Sequence, residues 1–98
     1  MALHPACHVV EDYLAATFPG SVIKEFEWMA QRSWVFKVSV PRHTFQLLVS
    51  TKWLDQPNEH EIDRLLRDWH VASRMRLAGR AWTLVTAAGV TQGLPEPA

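Results

Sequence analysis

Residues 32–51 read RSWVFKVSVPRHTFQLLVST, and the alternation of apolar and polar side chains in this stretch decides the fold. Apolar side chains recur at every second position, namely 34, 36, 38 and 40 in the first half and 45, 47 and 49 in the second. This period of two predicts strands at 32–40 and 43–51, each with one buried face. Only Pro41 and Arg42 separate them, which predicts a hairpin, although Pro-Arg is not a favoured two-residue turn.

Residues 21–29 show a weaker strand pattern, in which Val22, Phe26 and Trp28 share a face that Lys24 interrupts. We expect Lys24 near a sheet edge, where its stem can lie on apolar surface while its amine reaches water. One covered face of the sheet is then expected to hold the aromatic side chains, which are Phe26, Trp28, Trp34, Phe36 and Phe45.

Helical spacing is found on both sides of these strands. Pro5 suits the first position of a helix that Pro19 and Gly20 end, with its apolar face at Ala6, Val9, Val10, Tyr13 and Thr17. A second helix is predicted to begin near Pro57, since Asn58 and Glu61 have capping-box spacing, and to stop at Gly79. Its buried stripe is predicted to be Ile62, Leu65, Leu66, Trp69, Ala72 and Leu77. Residues 81–86 are expected to add a strand with Trp82 and Leu84 inward.

The resulting order, α-β-β-β-α-β, predicts a two-layer α+β fold. Its antiparallel sheet has three to four strands, and both helices cover one face. The pattern leaves open where the fourth strand joins the sheet. We expect one domain over residues 1–91 and a disordered tail over 92–98, QGLPEPA, because Gly and two Pro dominate it.

Composition sets bounds on the cellular setting. The chain has 98 residues, 48% of them hydrophobic and 20% charged, which is typical of a globular protein. Ten Lys+Arg balance ten Asp+Glu, so no net field draws the chain to nucleic acid or to membranes. The single cysteine, Cys7, permits no internal disulfide, and the N-terminus lacks the features of a secretory signal. We therefore expect a cytoplasmic protein.

Motifs for metal binding and catalysis are weak. His4, Cys7 and His8 have ligand-like spacing, but three ligands leave a structural zinc site incomplete, so we predict no metal site and no cofactor. His60-Glu61 begins like H-E-x-x-H, yet Arg64 stands where the second His is needed. Glycine-rich phosphate loops and nucleophile elbows are absent from the sequence. No catalytic residue is predicted, and the sequence leans away from an enzyme.

The second half of the second helix carries the main functional prediction. In an unbroken helix Val71 and Met75 fall opposite the buried stripe, beside Arg64, Arg67 and Arg74. Either the helix bends near His70 and returns Val71 and Met75 to the core, or an apolar patch rimmed with arginine faces a protein partner. We favour the partner.

Trp53 is a further candidate at the entry to this helix. It is either a lid over one end of the core or an anchor for the same partner. The predicted partner-binding residues are therefore Arg64, Arg67, Val71, Arg74, Met75 and Trp53.

These features favour a small non-enzymatic protein-binding or regulatory domain, such as an adaptor, an inhibitor or an immunity-type protein, and a homodimer is one form it could take. The first alternative is a nucleic-acid-binding regulator that uses Arg64, Arg67, Arg74, Arg76 and Arg80. Asp63 and Asp68 on the same helix disfavour this alternative. The second alternative is a small enzyme with an unrecognised site.

Overall fold

The alternation in residues 32–51 becomes two long paired strands in the computed structural model of the chain, which describes residues 4–56, 58–79 and 81–93. Within these residues the chain forms four α-helices and five β-strands, with a 3₁₀ turn at Met29–Gln31. Their order is α1 (Cys7–Thr17), β1 (Val22–Trp28), β2 (Ser33–Val40), β3 (His43–Ser50), α2 (Thr51–Asp55), α3 (Glu59–Asp68), α4 (Val71–Ala78), β4 (Trp82–Thr86) and β5 (Gly89–Gly93).

The sheet has five strands in the order β1-β2-β3-β4-β5, and every neighbouring pair is antiparallel except β3 and β4, which are parallel. The α+β prediction is confirmed, whereas the prediction of a wholly antiparallel sheet of three to four strands is wrong. The reason is that α2, α3 and α4 lie between β3 and β4, and this long crossover brings the chain back to start β4 in the direction of β3.

The strand β5 extends the ordered chain beyond the predicted boundary. Gln92 and Gly93 belong to β5, so the predicted tail begins two residues too early, and its remainder lies outside the described residues. Gln92 is held in place, because its side-chain amide donates to the carbonyl of Arg74 at 3.0 Å.

The core lies between the helices and one face of the sheet. Val10 and Leu14 of α1 and Ile62 and Leu66 of α3 are buried with Phe36 of β2, each at most 1% exposed. Asn58 caps α3 as predicted, since its side-chain oxygen accepts from the N–H of Glu61 at 2.9 Å. Pro57 lies outside the described residues.

The predicted second helix, from near Pro57 to Gly79, is divided into α3 and α4, and α2 before it is a helix that was not predicted. Ser50 begins α2 as its N-cap, with its hydroxyl accepting from the N–H of Trp53. His70 ends the α3 segment in the left-handed conformation, with φ 53° and ψ 44°, so α4 starts with a different rotation from α3. The bend near His70, which was the alternative considered from the sequence, is therefore what the structure contains.

Three predictions of side-chain direction are wrong. Leu77, expected in the buried stripe, is 82% exposed, because the break at His70 rotates α4. In β4 the buried residues are Thr83 and Val85 instead of Trp82 and Leu84. Phe26 and Trp28 lie on the face away from the helices, because their cross-strand partners Val35 and Ser33 alternate with the core residues Trp34 and Phe36.

Among the described residues, no helix is long and apolar enough to cross a membrane.

Candidate functional site

The apolar part of the predicted interface is buried. Val71 is 0% exposed, Met75 is 1% and Trp53 is 3%. The predicted exposure of Val71 and Met75 is wrong because α4 begins after the left-handed residue His70, which turns both side chains into the core. Of the two interpretations of Trp53, the structure agrees with a core position, where its ring lies 5.8 Å from that of Trp69.

Arginines were predicted to rim the partner patch or, in the first alternative, to bind nucleic acid. Most of them contact neighbouring groups of the protein itself. Arg67 donates to Asp63 at 2.9 Å, and Arg74 donates to the carbonyl of Trp69 at 3.2 Å. The guanidinium of Arg76 lies 4.5 Å from the ring centroid of Phe18 and donates to the carbonyl of Thr17. Arg64 is exposed, and Arg80 lies outside the described residues. The arginines that remain exposed therefore surround no apolar centre at Val71 and Met75.

The His4, Cys7 and His8 group is used to hold α1 against the other helices. His4 accepts from the N–H of Ala6 through Nδ1 and bonds Asp55 through Nε2 at 2.5 Å, while His8 lies 3.5 Å from Glu59. Cys7 is buried, and burial first and the nearby charge of Glu25 second raise its pKa to about 12. In the described parts of the chain, no three His, Cys, Asp or Glu side chains are grouped to hold a metal ion.

The face of the sheet away from the helices carries the aromatic side chains of Phe26, Trp28 and Trp82, which the sequence predicted to lie in the core. Phe26 of this group is 44% exposed, and the neighbouring aliphatic side chain of Val22 is 59% exposed. We call this side the open face. Its β1, β2 and β3 side chains are those of Val22, Lys24, Phe26 and Trp28, of Ser33, Val35, Lys37 and Ser39, and of Thr44, Gln46, Leu48 and Ser50, and β4 adds Trp82, Leu84 and Thr86.

Two tryptophans meet across the open face. The ring centroids of Trp28 in β1 and Trp82 in β4 are 5.7 Å apart with a tilt of 46°. Three interstrand spacings of about 4.8 Å separate these strands, so the indoles reach toward each other over β2 and β3. Beneath them Val35 is 0% exposed and Leu48 is 7% exposed, although no helix covers them. The open face therefore has a small apolar core of its own.

A groove beside this indole pair is lined by Phe26, Trp28, Lys37 and Trp82. We call these four residues the aromatic site. The Lys37 ammonium lies 5.8 Å from the ring centroid of Phe26, within the range of a cation–π contact. Three aromatic side chains and a cation thus surround one groove that is open to solvent.

Lys37 also lies directly opposite Lys24 in the β1–β2 register. Both lysines point to the open face, with Cβ atoms about 5 Å apart as in any directly paired positions. Neither forms an ion pair with the residues that the structure describes. Two like charges in direct opposition destabilise a sheet, so this pair is a place where an anion would be stabilising.

Carboxylates lie on the other side of the sheet. Glu25 and Glu27, the acidic residues of β1, pair with Phe36 and Trp34 and so face the helices. No Asp or Glu occurs at the open-face positions of the five described strands. The open face therefore carries positive charge without a neighbouring negative one, although the whole chain is neutral.

A second groove continues along the open face past Leu48 and Leu84. It is bordered by Ser33, Ser50 and Thr86, together with Gln31 of the 3₁₀ turn. The Ser33 hydroxyl donates to the carbonyl of Gln31 at 2.8 Å. Hydroxyl groups that can donate and accept hydrogen bonds thus lie next to the aromatic site.

One sequence signal could have identified the open face. Lys24 shares its alternation with Phe26 and Trp28, and Ser33, Lys37 and Ser39 share theirs with Val35. Pairing β1 with β2 through the short turn at 29–32 places these two sets on the same side of the sheet. A side with two lysines and two serines is not a core, so Phe26 and Trp28 could have been assigned to a partly exposed surface.

Comparisons with models of protein families, with curated proteins and with solved structures give no match to this chain.

Proposed function

We propose that this chain is a non-enzymatic binding domain and that the open face of its sheet is its binding surface. The observation that carries this proposal is the aromatic site, in which Phe26, Trp28 and Trp82 surround a solvent-open groove with Lys37. Partly exposed aromatic side chains are costly in water and are enriched where a partner covers them.

The described nucleophiles and bases support binding over covalent chemistry. Cys7 is buried with its pKa raised to about 12, so its thiol is protonated and unreactive at neutral pH. His4 is bonded to Asp55, and His8 and His43 are bonded to backbone carbonyls. In the described residues, no hydrogen bond joins any of these three imidazoles to a hydroxyl or thiol, which is the pairing that a nucleophilic mechanism would require.

The regulatory role predicted from the sequence stays with this proposal, because an adaptor or inhibitor acts by holding a partner and needs no cofactor. We place the binding site of this domain on the open face instead of on α4. A cytoplasmic location fits the same proposal, since a lone buried thiol persists in a reducing compartment.

Self-association through the β1 edge is disfavoured by charge. The antiparallel registers that would join most of β1 to a second copy set Lys24 against Lys24, Glu25 against Glu25, or Glu25 against Glu27. Like charges in direct opposition destabilise each of these pairings, which is how edge strands commonly resist unwanted partners. We therefore assign partner binding to the open face instead of to this edge.

The proposal is tested by capture from a source lysate with three baits, namely the wild-type chain, Phe26→Ser and Leu77→Ser. Both variants remove an exposed apolar side chain, from the open face in the first and from α4 in the second. We expect proteins or nucleic acids that the wild type and Leu77→Ser retain and that Phe26→Ser loses. Identical capture by all three baits would contradict a binding role for the open face.

A further inference from the structure

We propose that the partner held by the open face is single-stranded nucleic acid, with its bases stacked in the aromatic site and a phosphate held between Lys24 and Lys37. This inference rests on the proposed binding function and names the partner of the same face.

The lysine pair favours a phosphate. Lys24 and Lys37 oppose each other directly and have no ionic partner among the described residues. A phosphate between them would turn their mutual repulsion into two favourable contacts. A carboxylate-bearing peptide could supply the same charge, but only some of its residues carry a flat ring, whereas every nucleotide carries a base beside its phosphate.

The aromatic site favours a base. Phe26 lies two residues from Lys24 on the same side of β1, and its ring is 5.8 Å from the Lys37 ammonium. A ring and a cation this close match the separation of a base from its own phosphate. Base stacking on aromatic side chains is the main source of affinity in sequence-tolerant single-strand binding, and lysines follow the backbone.

The rest of the open face suits a polyanion better than a protein. It offers Ser50, Thr44, Thr86 and Gln46, whose hydroxyl and amide groups can bond to bases and phosphates. The acidic residues of β1, Glu25 and Glu27, point to the helices. A bound nucleic-acid strand would therefore meet no carboxylate from β1 on this side. The sequence alternative of nucleic acid is thereby supported, but on the sheet instead of on the helix arginines.

A single strand is favoured over a duplex because a duplex keeps its base faces inside the stack. Only unpaired bases can lie against Phe26 and Trp82. Base edges and helix geometry are not needed for this type of contact, so we expect little sequence preference.

The test measures the fluorescence anisotropy of a labelled oligothymidylate of about ten nucleotides. With one phosphate neutralised by the lysine pair, the affinity should fall about threefold between about 50 and 200 mM salt. Phe26→Ala should weaken binding about tenfold, as removal of one stacking ring does. The double variant Lys24→Gln/Lys37→Gln should weaken binding and remove most of its salt dependence.

Two matched controls come from the helices. Leu77→Ala removes an exposed apolar side chain from α4, and Arg64→Gln removes an exposed cation from α3. Both should bind like the wild type. An unlabelled duplex of the same length and a free mononucleotide should compete poorly with the labelled strand.

Several results would overturn the inference: no binding at low salt, loss of binding in Arg64→Gln but not in Phe26→Ala, equal binding of the duplex, or tight binding of polyglutamate in place of the oligonucleotide. If the oligonucleotide fails to bind while lysate capture still depends on Phe26, the nucleic-acid inference fails and the proposed binding function stands. If both measurements are independent of Phe26, the proposed function fails as well.

Discussion

The indole rings of Trp28 and Trp82, which are 54 positions apart in the chain, meet with centroids 5.7 Å apart on the open face. Val35 and Leu48, which lie on the same side of the strands between them, are 0% and 7% exposed although no helix covers them. The sheet is therefore packed on both faces, with the helices on one side and its own aromatic side chains on the other. This second, smaller layer supplies the rigid base on which the aromatic site is built.

A double-mutant cycle should detect the contact between the two tryptophans. Trp28→Ala and Trp82→Ala should be coupled by about 1 kcal/mol in the free energy of unfolding, because paired aromatic rings contribute about that much beyond their buried area. The measurement is urea denaturation of both single variants and the double variant. The control cycle combines Trp82→Ala with Trp53→Ala, since Trp53 lies in the helix-side core, and it should be additive within about 0.5 kcal/mol. Additivity in both cycles would contradict the indole contact.

Met75→Glu distinguishes the core position of Met75 from the exposed one expected of an unbroken helix. Met75 is 1% exposed, so a carboxylate there should cost several kcal/mol in the free energy of unfolding. Leu77→Glu is the matched control on the same helix, where the side chain is 82% exposed and the change should stay within about 0.5 kcal/mol. Chemical denaturation measures both, and equal stabilities of the two variants would show that α4 is not rotated as described.

Local patterns predicted the strands well because residues two apart must share a face of a strand. Strands 32–40 and 43–51 differ from β2 and β3 by one residue at most. The same rule does not say which face the helices cover. In β1 the covered side carries Ile23, Glu25 and Glu27, since an edge strand lies partly beyond the helices. Apolar content alone therefore assigned Phe26 and Trp28 to the wrong side.

The break at His70 was not decidable from local signals. Neither Gly nor Pro occurs between Asp68 and Val71, and a histidine with φ 53° is in a conformation that side chains rarely adopt. Tertiary contacts compensate for the unfavourable backbone conformation of His70. Val71 and Met75 enter the core, and Tyr13 of α1 caps the start of α4. Such contacts join residues almost 60 positions apart, so no window of sequence contains them.

Tyr13→Phe tests this cap. The phenolic oxygen of Tyr13 accepts from the buried N–H of Ala72 at 2.9 Å, in the first turn of α4. The variant keeps the ring but leaves that N–H without a partner, which should cost about 1–3 kcal/mol. Hydrogen exchange at Ala72 should accelerate more than exchange at Leu66 in α3. Arg67→Met is the control, because it removes the cation 5.9 Å from the Tyr13 ring but retains the hydroxyl. If Tyr13→Phe is as stable as the wild type, the cap does not determine where α4 begins.

Glu25→Gln should stabilise the protein at neutral pH. Burial first, and the charge of Glu11 and a hydrogen bond with it second, raise the pKa of Glu25 above its ordinary value of 4.5. One of its carboxyl oxygens is buried without a hydrogen-bond partner in the described structure. Between the unfolded and folded pKa values the folded state holds more protons, so stability falls as pH rises through this window.

The gain of Glu25→Gln should therefore grow as pH rises from about 4.5 toward neutrality, and it should disappear in more acidic solution where both states are protonated. Thermal or urea unfolding of variant and wild type at several pH values measures this difference. Glu27→Gln is the control from the same side of the same strand, and because Glu27 is exposed its effect should remain within about 0.5 kcal/mol throughout. A gain that is constant with pH would mean that removing the charge of Glu25 is not the cause. A loss of stability at neutral pH would show that the ionised carboxylate is favourably placed against α1.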